Sequence, residues 1–127
     1  MKWHVFEVMH RGAFCAQPDN SLAELVQELK ARKISAAPVV DREEKLVGVI
    51  SLRDVALARP EQLVKEVMST PAITVDQAAT MPTVLKLFEK HKVHRLVVTH
   101  QDRVLGVLSL VDLLGPLAEA YVYPNFS

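Results

Sequence analysis

The stretch Gly48-Val49-Ile50-Ser51-Leu52-Arg53-Asp54 returns as Gly106-Val107-Leu108-Ser109-Leu110-Val111-Asp112, so the chain carries one unit twice. In each copy an apolar run ends at a Ser, and an Asp follows three residues on. That is the pattern of a strand entering the first turn of a helix, with Ser at the cap and Asp at the third helical position. Working outward, Glu7-Val8-Met9 recurs as Glu66-Val67-Met68 at an offset of 59 (66 minus 7), while the two Ser recur at 58 (109 minus 51). One residue is missing from the second copy. The loss falls in the polar stretch 41–45 compared with 100–103, which reads as a hairpin turn between two apolar runs, where insertions and deletions are tolerated.

Outside the turns, each copy reads as β-α-β-β-α. In copy one Asn20-Ser21 precedes Leu22, Leu25, Val26 and Leu29, an i, i+3, i+4, i+7 stripe, with Glu24 placed for a capping box. Copy two repeats the stripe as Met81, Val84, Leu85 and Phe88 after Thr80. Pro82 fits there because it falls in the first turn, whose N–H groups have no intrahelical partner. Short β-branched runs follow each helix, at 37–40 and 46–50 and again at 96–99 and 104–108. Runs at 13–16 and 72–75 supply a first strand for each copy, and second helices are expected at 52–58 and from 110 onward. The expected fold class is α/β in its mixed α+β form: two β-α-β-β-α repeats, residues 1–62 and 63–127, packed sheet to sheet about a pseudo-twofold axis. A half of about 60 residues buries too little surface to stand comfortably alone. The stretch 64–68 is the link, expected to hold a short helical turn.

Composition narrows the function classes. At 127 residues and 50% hydrophobic content the chain suffices for one compact module and is too short for an enzyme plus a regulatory domain. Fifteen Lys and Arg balance fifteen Asp and Glu, which removes the electrostatic case for nucleic acid or an anionic membrane as main partner. The single Cys15 forms no internal disulfide, the opening Met1-Lys2-Trp3-His4 lacks the apolar region of a signal peptide, and no apolar run approaches the roughly 18 residues of a membrane span. A soluble, cytoplasmic protein is expected.

The Ser and Asp pairs allow two readings. As caps, they satisfy N–H groups at the helix start and suit the positive end of its dipole. As a site, the same N–H groups and hydroxyl bind phosphate, while a carboxylate accepts the hydroxyls of a ribose diol. Geometry alone does not separate them.

Taken together, the residues resemble the paired cystathionine β-synthase (CBS) domains, or Bateman module. The resemblance runs from about Val5 to Leu117. It is carried by Glu-Val-Met opening each copy, by Ser69-Thr70-Pro71-Ala72-Ile73-Thr74-Val75, by Ile34-Ser35-Ala36-Ala37-Pro38-Val39-Val40-Asp41, and by both Gly-x-x-Ser-x-x-Asp turns. Val93-His94-Arg95-Leu96-Val97-Val98 is also similar to a segment of the gamma subunits of AMP-activated protein kinase. The resemblance implies a non-enzymatic regulatory, energy-sensing module that binds AMP, ADP or ATP in the cleft between its repeats, with no obligatory cofactor. It implies one site made of Ser35, Ala36 and Ala37, lining adenine, with His94 and Arg95 near phosphate, Asp112 on ribose and Ser109 near phosphate. A second, symmetry-related site would use Ser51, Asp54, Thr70 and Thr74. It is expected to be the weaker one, because Arg11-Gly12-Ala13-Phe14-Cys15-Ala16 stands where the family has a polar Thr-Pro segment, and Val97 stands where copy one has Pro38. A homodimer and an unidentified effector protein are the implied partners. The alternative is a dimerisation or protein-interaction module with no ligand, in which the Ser and Asp pairs only cap helices.

Other signals carry less. His91 and His94 show no third ligand at metal-like spacing, Cys15 has no partnered His pattern of a nucleophile, and no Gly-x-x-x-x-Gly-Lys loop is present. Gly115-Pro116 is expected to break or kink the last helix. The apolar end Tyr121, Val122, Tyr123 and Phe126 has two readings, packing on Trp3 or Phe6 and contact with a partner.

Overall fold

The computed structural model describes residues 3–11 and 14–122. Its elements in chain order are α1 (Val5–Val8), β1 (His10–Arg11), α2 (Leu22–Arg32), β2 (Ala36–Val40), β3 (Leu46–Ser51), α3 (Leu52–Val55), α4 (Val64–Val67), β4 (Thr74–Asp76), α5 (Met81–His91), β5 (Arg95–His100), β6 (Arg103–Ser109), a 3-10 turn (Leu110–Leu113) and α6 (Leu114–Val122). The fold is mixed α+β with small sheets, as expected. The described residues fall into two compact units, one within 13–72 and the other joining those within 1–12 to those within 73–127.

These units and the sequence repeats divide the chain differently. Helix α1 opens the first repeat, yet Val5 is buried with Val75, Met81, Val84, Phe88, Leu96, Val98, Leu108 and Leu113 of the second. Its counterpart α4 opens the second repeat, yet Val64 is buried with Ala16, Leu22, Leu25, Leu29, Ala37, Val39 and Ile50 of the first. Each opening helix therefore completes the core of the other repeat. Backbone bonds fix the exchange: Val5 N–H donates to the Ala79 carbonyl at 3.0 Å, and Val64 N–H donates to the Asn20 carbonyl at 2.8 Å.

The two long helices form where the stripes predicted. Helix α2 buries Leu22, Leu25 and Leu29, and its cap Ser21 accepts the Glu24 N–H at 3.1 Å. Helix α5 buries Met81, Val84 and Phe88 and carries Pro82 in its first turn. Both end at a lysine in the left-handed region, Lys33 at φ 55° and Lys92 at φ 51°. Strand order in the second unit is β1-β6-β5-β4, with β4 parallel to β5 and the other pairs antiparallel. The first unit reduces to the β2-β3 hairpin, flanked by single bridges from Ala16 to Val39 and from Ser69 to Val49.

Three local expectations change. The first strand expected at 13–16 is only the Ala16 bridge, and residue 13 lies outside the described residues. The equivalent β4 extends its ladder through Gln77 N–H, which donates to the Thr99 carbonyl at 3.0 Å; Pro18 stands at the matching place in copy one and has no N–H to give. The helix expected at 52–58 stops at Val55, and the chain closes through Ala58 N–H to the Val55 carbonyl at 2.9 Å. Gly115-Pro116 does not break the last helix. Both lie in the first turn of α6, where the missing proline N–H has no partner to lose, and the irregularity falls just before, in the 3-10 turn. Tyr123 and Phe126 lie outside the described residues.

The deleted residue is where the alignment put it. In the longer loop Asp41 Oδ1 accepts the N–H groups of Glu43 at 2.8 Å and Lys45 at 3.0 Å, and Glu44 is left-handed. The shorter loop pairs His100 with Arg103 across a two-residue turn, Gln101 and Asp102, both at positive φ. That is the geometry a right-twisted hairpin prefers.

Candidate functional site: two strand-to-helix turns

In the second unit, β5 and β6 pair in a register that sets Arg95 opposite Ser109 and Leu96 opposite Leu108. One step beyond, Leu110 N–H donates to the His94 carbonyl at 2.9 Å. Ser109 N–H donates to Asp112 Oδ2 at 2.7 Å. His94, Arg95, Ser109 and Asp112 thus meet at one end of the sheet, where β5 starts and β6 passes into the 3-10 turn. His94 is exposed, and Arg95, Ser109 and Asp112 are half-buried.

The first unit builds the same corner from different side chains. Ala36 pairs with Ser51 and Ala37 with Ile50, and Leu52 N–H donates to the Ser35 carbonyl at 2.9 Å. The cap is a reciprocal box, as it is at Ser109 and Asp112. Ser51 N–H and Ser51 Oγ–H donate to Asp54 Oδ2 at 2.9 and 3.1 Å, and Asp54 N–H donates back to Ser51 Oγ at 3.4 Å. Ser51 is only 5% exposed, and its polar atoms are satisfied inside its own turn. Ser35 is exposed, while the Ala36 and Ala37 side chains are buried, Ala37 in the core.

The sequence-predicted residues therefore separate by unit: Ser35, Ala36 and Ala37 stand with Ser51 and Asp54, and His94 and Arg95 stand with Ser109 and Asp112. Thr70 is an exposed residue of the first unit, and Thr74, also exposed, opens β4 of the second, opposite Val97. Phe14 packs against the first core, with the Arg32 guanidinium 4.8 Å from its ring centroid. Cys15 is half-buried, and burial pushes its thiol pKa up. Among the described residues no group of three or more His, Cys, Asp or Glu is placed to hold a metal, and no helix is long and apolar enough to cross a membrane.

Two features escaped the sequence reading. Gly48 is a docking position: a Cβ there would come within 2.8 Å of Met68 Sδ and 2.9 Å of the Ser69 carbonyl oxygen. Val49 and Ser69 exchange N–H to carbonyl bonds at 3.1 and 2.9 Å beside it. Its only signal was recurrence of Gly at the same place in both copies. The second is the run Lys90-His91-Lys92 leading into His94-Arg95, legible as charge but not as part of a turn.

The corner is thus built twice, with a left-handed lysine, a short strand, and a Ser and Asp turn in each copy. A family model for the CBS domain matches the chain twice, at residues 5–61 and 64–119. The chain belongs to the CBS-domain family. Its CBS pair is 33% identical over 110 residues to inosine-5'-monophosphate dehydrogenase of Methanocaldococcus jannaschii, a match that takes in 85% of this chain and 22% of the enzyme. It is 31% identical over 107 residues to the uncharacterized protein YlbB of Bacillus subtilis, covering 79% of this chain and 72% of that one. The chain therefore spans about a fifth of the dehydrogenase it matches. Among solved structures, it is similar to the CBS domain pair of protein MJ0100 in complex with 5-methylthioadenosine and S-adenosyl-L-methionine, with a TM-score of 0.81, 24% identity, and coverage of 93% of this chain and 98% of that one.

Proposed function

We propose that this CBS pair is a non-enzymatic regulatory module that binds an adenosine nucleotide. The observation that carries the reading is the convergence of His94, Arg95, Ser109 and Asp112 at one sheet end, fixed by the Arg95 to Ser109 register and the Leu110 to His94 bond. Arg95 supplies a planar fork of donors for phosphate, His94 and Ser109 add donors, and the Asp112 carboxylate suits ribose hydroxyls. Assignment of adenine to Ser35, Ala36 and Ala37 rests on the resemblance of that segment to the family. The adenosine ligands of the MJ0100 pair support the ligand class.

Thermal unfolding with AMP, ADP, ATP, S-adenosylmethionine and NAD tests the proposal, since a ligand at about 100 times its Kd adds roughly 2.7 kcal/mol of stability. A shift with adenosine compounds, lost in Arg95→Ala for phosphorylated ligands but kept for adenosine, is the expected result. No shift with any of them overturns it. Failure of Ala37→Leu to weaken binding would remove the adenine assignment.

A dimeric interaction module is a second reading with its own observation. Leu110, Val111 and Leu114 stand 42, 69 and 64% exposed at the start of the last helical segment, an apolar surface on a chain otherwise rich in surface charge. We propose that these residues meet a second copy of the chain, the regulatory response then arising from different ligand affinities of different assembly states. Sedimentation should show a dimer that Val111→Lys converts to monomer. A monomeric parent protein would remove this reading without touching ligand binding.

A further inference from the structure

In each repeat a methionine follows the opening helix and packs it down on the core of the other repeat. Met68 caps α4, its N–H donating to the Val64 carbonyl at 2.9 Å. Its side chain packs against the core of the first unit, and its Sδ lies on the bare face of Gly48, where an added Cβ would stand 2.8 Å from it. Met9 repeats the arrangement in the second unit: it caps α1 with an N–H to the Val5 carbonyl at 3.0 Å, packs against that core, and leads into β1, whose Arg11 pairs with Gly106. Both methionines are half-buried, within reach of a small oxidant. Met81, only 3% exposed in the second core, serves as an internal control.

A thioether is apolar and packs against a glycine without needing a partner. A sulfoxide carries an oxygen that is a strong acceptor, and burying it without a donor is costly. The backbone N–H groups along this seam are already committed: Met68 to Val64, Ser69 to the Val49 carbonyl at 2.9 Å, and Val49 to the Ser69 carbonyl at 3.1 Å. An oxidised Met68 must therefore swing off Gly48 to reach water or break one of these bonds, and either outcome loosens α4 from the first core. We propose that Met68, with Met9 as its counterpart, is a reversible oxidation site that controls how tightly the opening helices are held. The oxidant is a hydroperoxide. The thioether sulfur attacks its terminal oxygen, the S–O bond forms as the O–O bond breaks, and the leaving hydroxide or alkoxide takes the proton of the new S–OH group to depart as water or alcohol. Sulfur gives up two electrons and the peroxide accepts them; a methionine sulfoxide reductase with a thiol reductant reverses the step. The proposal is independent of any ligand at the Ser and Asp turns.

The test is hydrogen peroxide treatment of the whole chain, followed by peptide mass spectrometry, thermal unfolding and amide hydrogen exchange. Met68 and Met9 should each gain one oxygen at least about tenfold faster than the buried Met81. Tm should fall by several degrees, and exchange at Val49 and Ser69 should accelerate. A methionine sulfoxide reductase with its thiol reductant should restore both, and the thiol alone should not. That arm separates the sulfoxide from oxidation of Cys15, whose half-buried thiol is held protonated and whose reversible oxidation products a thiol reduces. Met9→Leu combined with Met68→Leu keeps the volume and removes both sulfurs, so this variant should hold its Tm under peroxide to within about a degree. Met68 oxidised no faster than Met81, a Tm indifferent to complete Met68 oxidation, a loss that thiol alone repairs, or a loss that persists in the double variant would each overturn the proposal. If the double variant does not fold, exchange in the oxidised parent protein decides, and unchanged protection at Val49 and Ser69 overturns it.

Discussion

The two Ser and Asp turns share a sequence pattern, a backbone register and a reciprocal capping box, yet they differ in burial and in their neighbours. At Ser51 the hydroxyl and the carboxylate close on each other through three hydrogen bonds, in a residue almost wholly buried. At Ser109 the carboxylate likewise accepts the backbone N–H, at 2.7 Å, but the serine is half-buried, and His94 and Arg95 stand where copy one has Ser35 and Ala36. Duplication conserves the frame that a strand-to-helix turn needs. Divergence of the neighbours decides whether that frame does anything more than cap.

The frame itself is the part most sensitive to change. Gly48→Ala would press a Cβ against the Ser69 carbonyl and Met68 Sδ, and the carbonyl is backbone that cannot step aside without breaking its bond to Val49. Overpacking of this kind costs about 1–3 kcal/mol, so a drop in Tm of several degrees is expected in thermal unfolding. Unchanged stability would mean that the segment after α4 is not held as described. This is the largest effect expected from a single substitution in either turn.

The carboxylates come next. Asp112→Ala should weaken nucleotide binding by about tenfold or more, the loss of a charge-assisted pair of hydrogen bonds, while Asp54→Ala should change it less than about threefold. Equal effects in calorimetry would put the ligand at both corners or at neither, and the comparison would collapse. The serines sharpen the same contrast at smaller scale. Ser51→Ala removes a cap hydroxyl that both donates and accepts, at about 0.5–2 kcal/mol of stability and no measurable affinity. Ser109→Ala should do the reverse, lowering affinity for phosphorylated ligands with a smaller loss in denaturant unfolding.

How much of this was legible in the sequence follows from the range of the forces involved. The helices at 22–32 and 81–91 were readable because their apolar stripes and caps are local, and the hairpin deletion was readable because only a turn tolerates it. The short α3 and the missing first strand of copy one were not: α3 closes on itself through the Ala58 N–H to Val55 carbonyl bond, and the strand loses its ladder at Pro18, two residues beyond Ala16. The exchange of α1 and α4 between repeats left no periodic signal at all: Val5 and Val64 look like any buried valine until the partner core is known. For the candidate site, the residues were legible through resemblance and the caps at Ser51 and Ser109 through spacing, but the burial of Ser51 and the close approach of Gly48 to Ser69 depend on which neighbours come within about 4 Å, and spacing alone does not encode that.

The smallest effect separates the two copies by pH. In copy two the exposed Asp76 accepts the Ala78 N–H at 2.8 Å and stands 3.4 Å from His100 Nδ1. The backbone bond first, and the imidazole second, hold its carboxyl below the ordinary range. A carboxyl whose pKa is lower folded than unfolded contributes its stability above the unfolded value and loses it as pH falls through the folded one. The equivalent residue in copy one is Gln17 (76 minus 59), which does not titrate. Acidification below about pH 4 should therefore loosen the second unit first, and amide exchange at Gln77, whose N–H bonds Thr99, should accelerate before that at Leu22 in the first. Asp76→Asn should lower stability at neutral pH and flatten the acid limb. If the two units lose protection together in the parent protein, and Asp76→Asn leaves the acid limb as steep as before, the asymmetry of the corners does not extend to their titration.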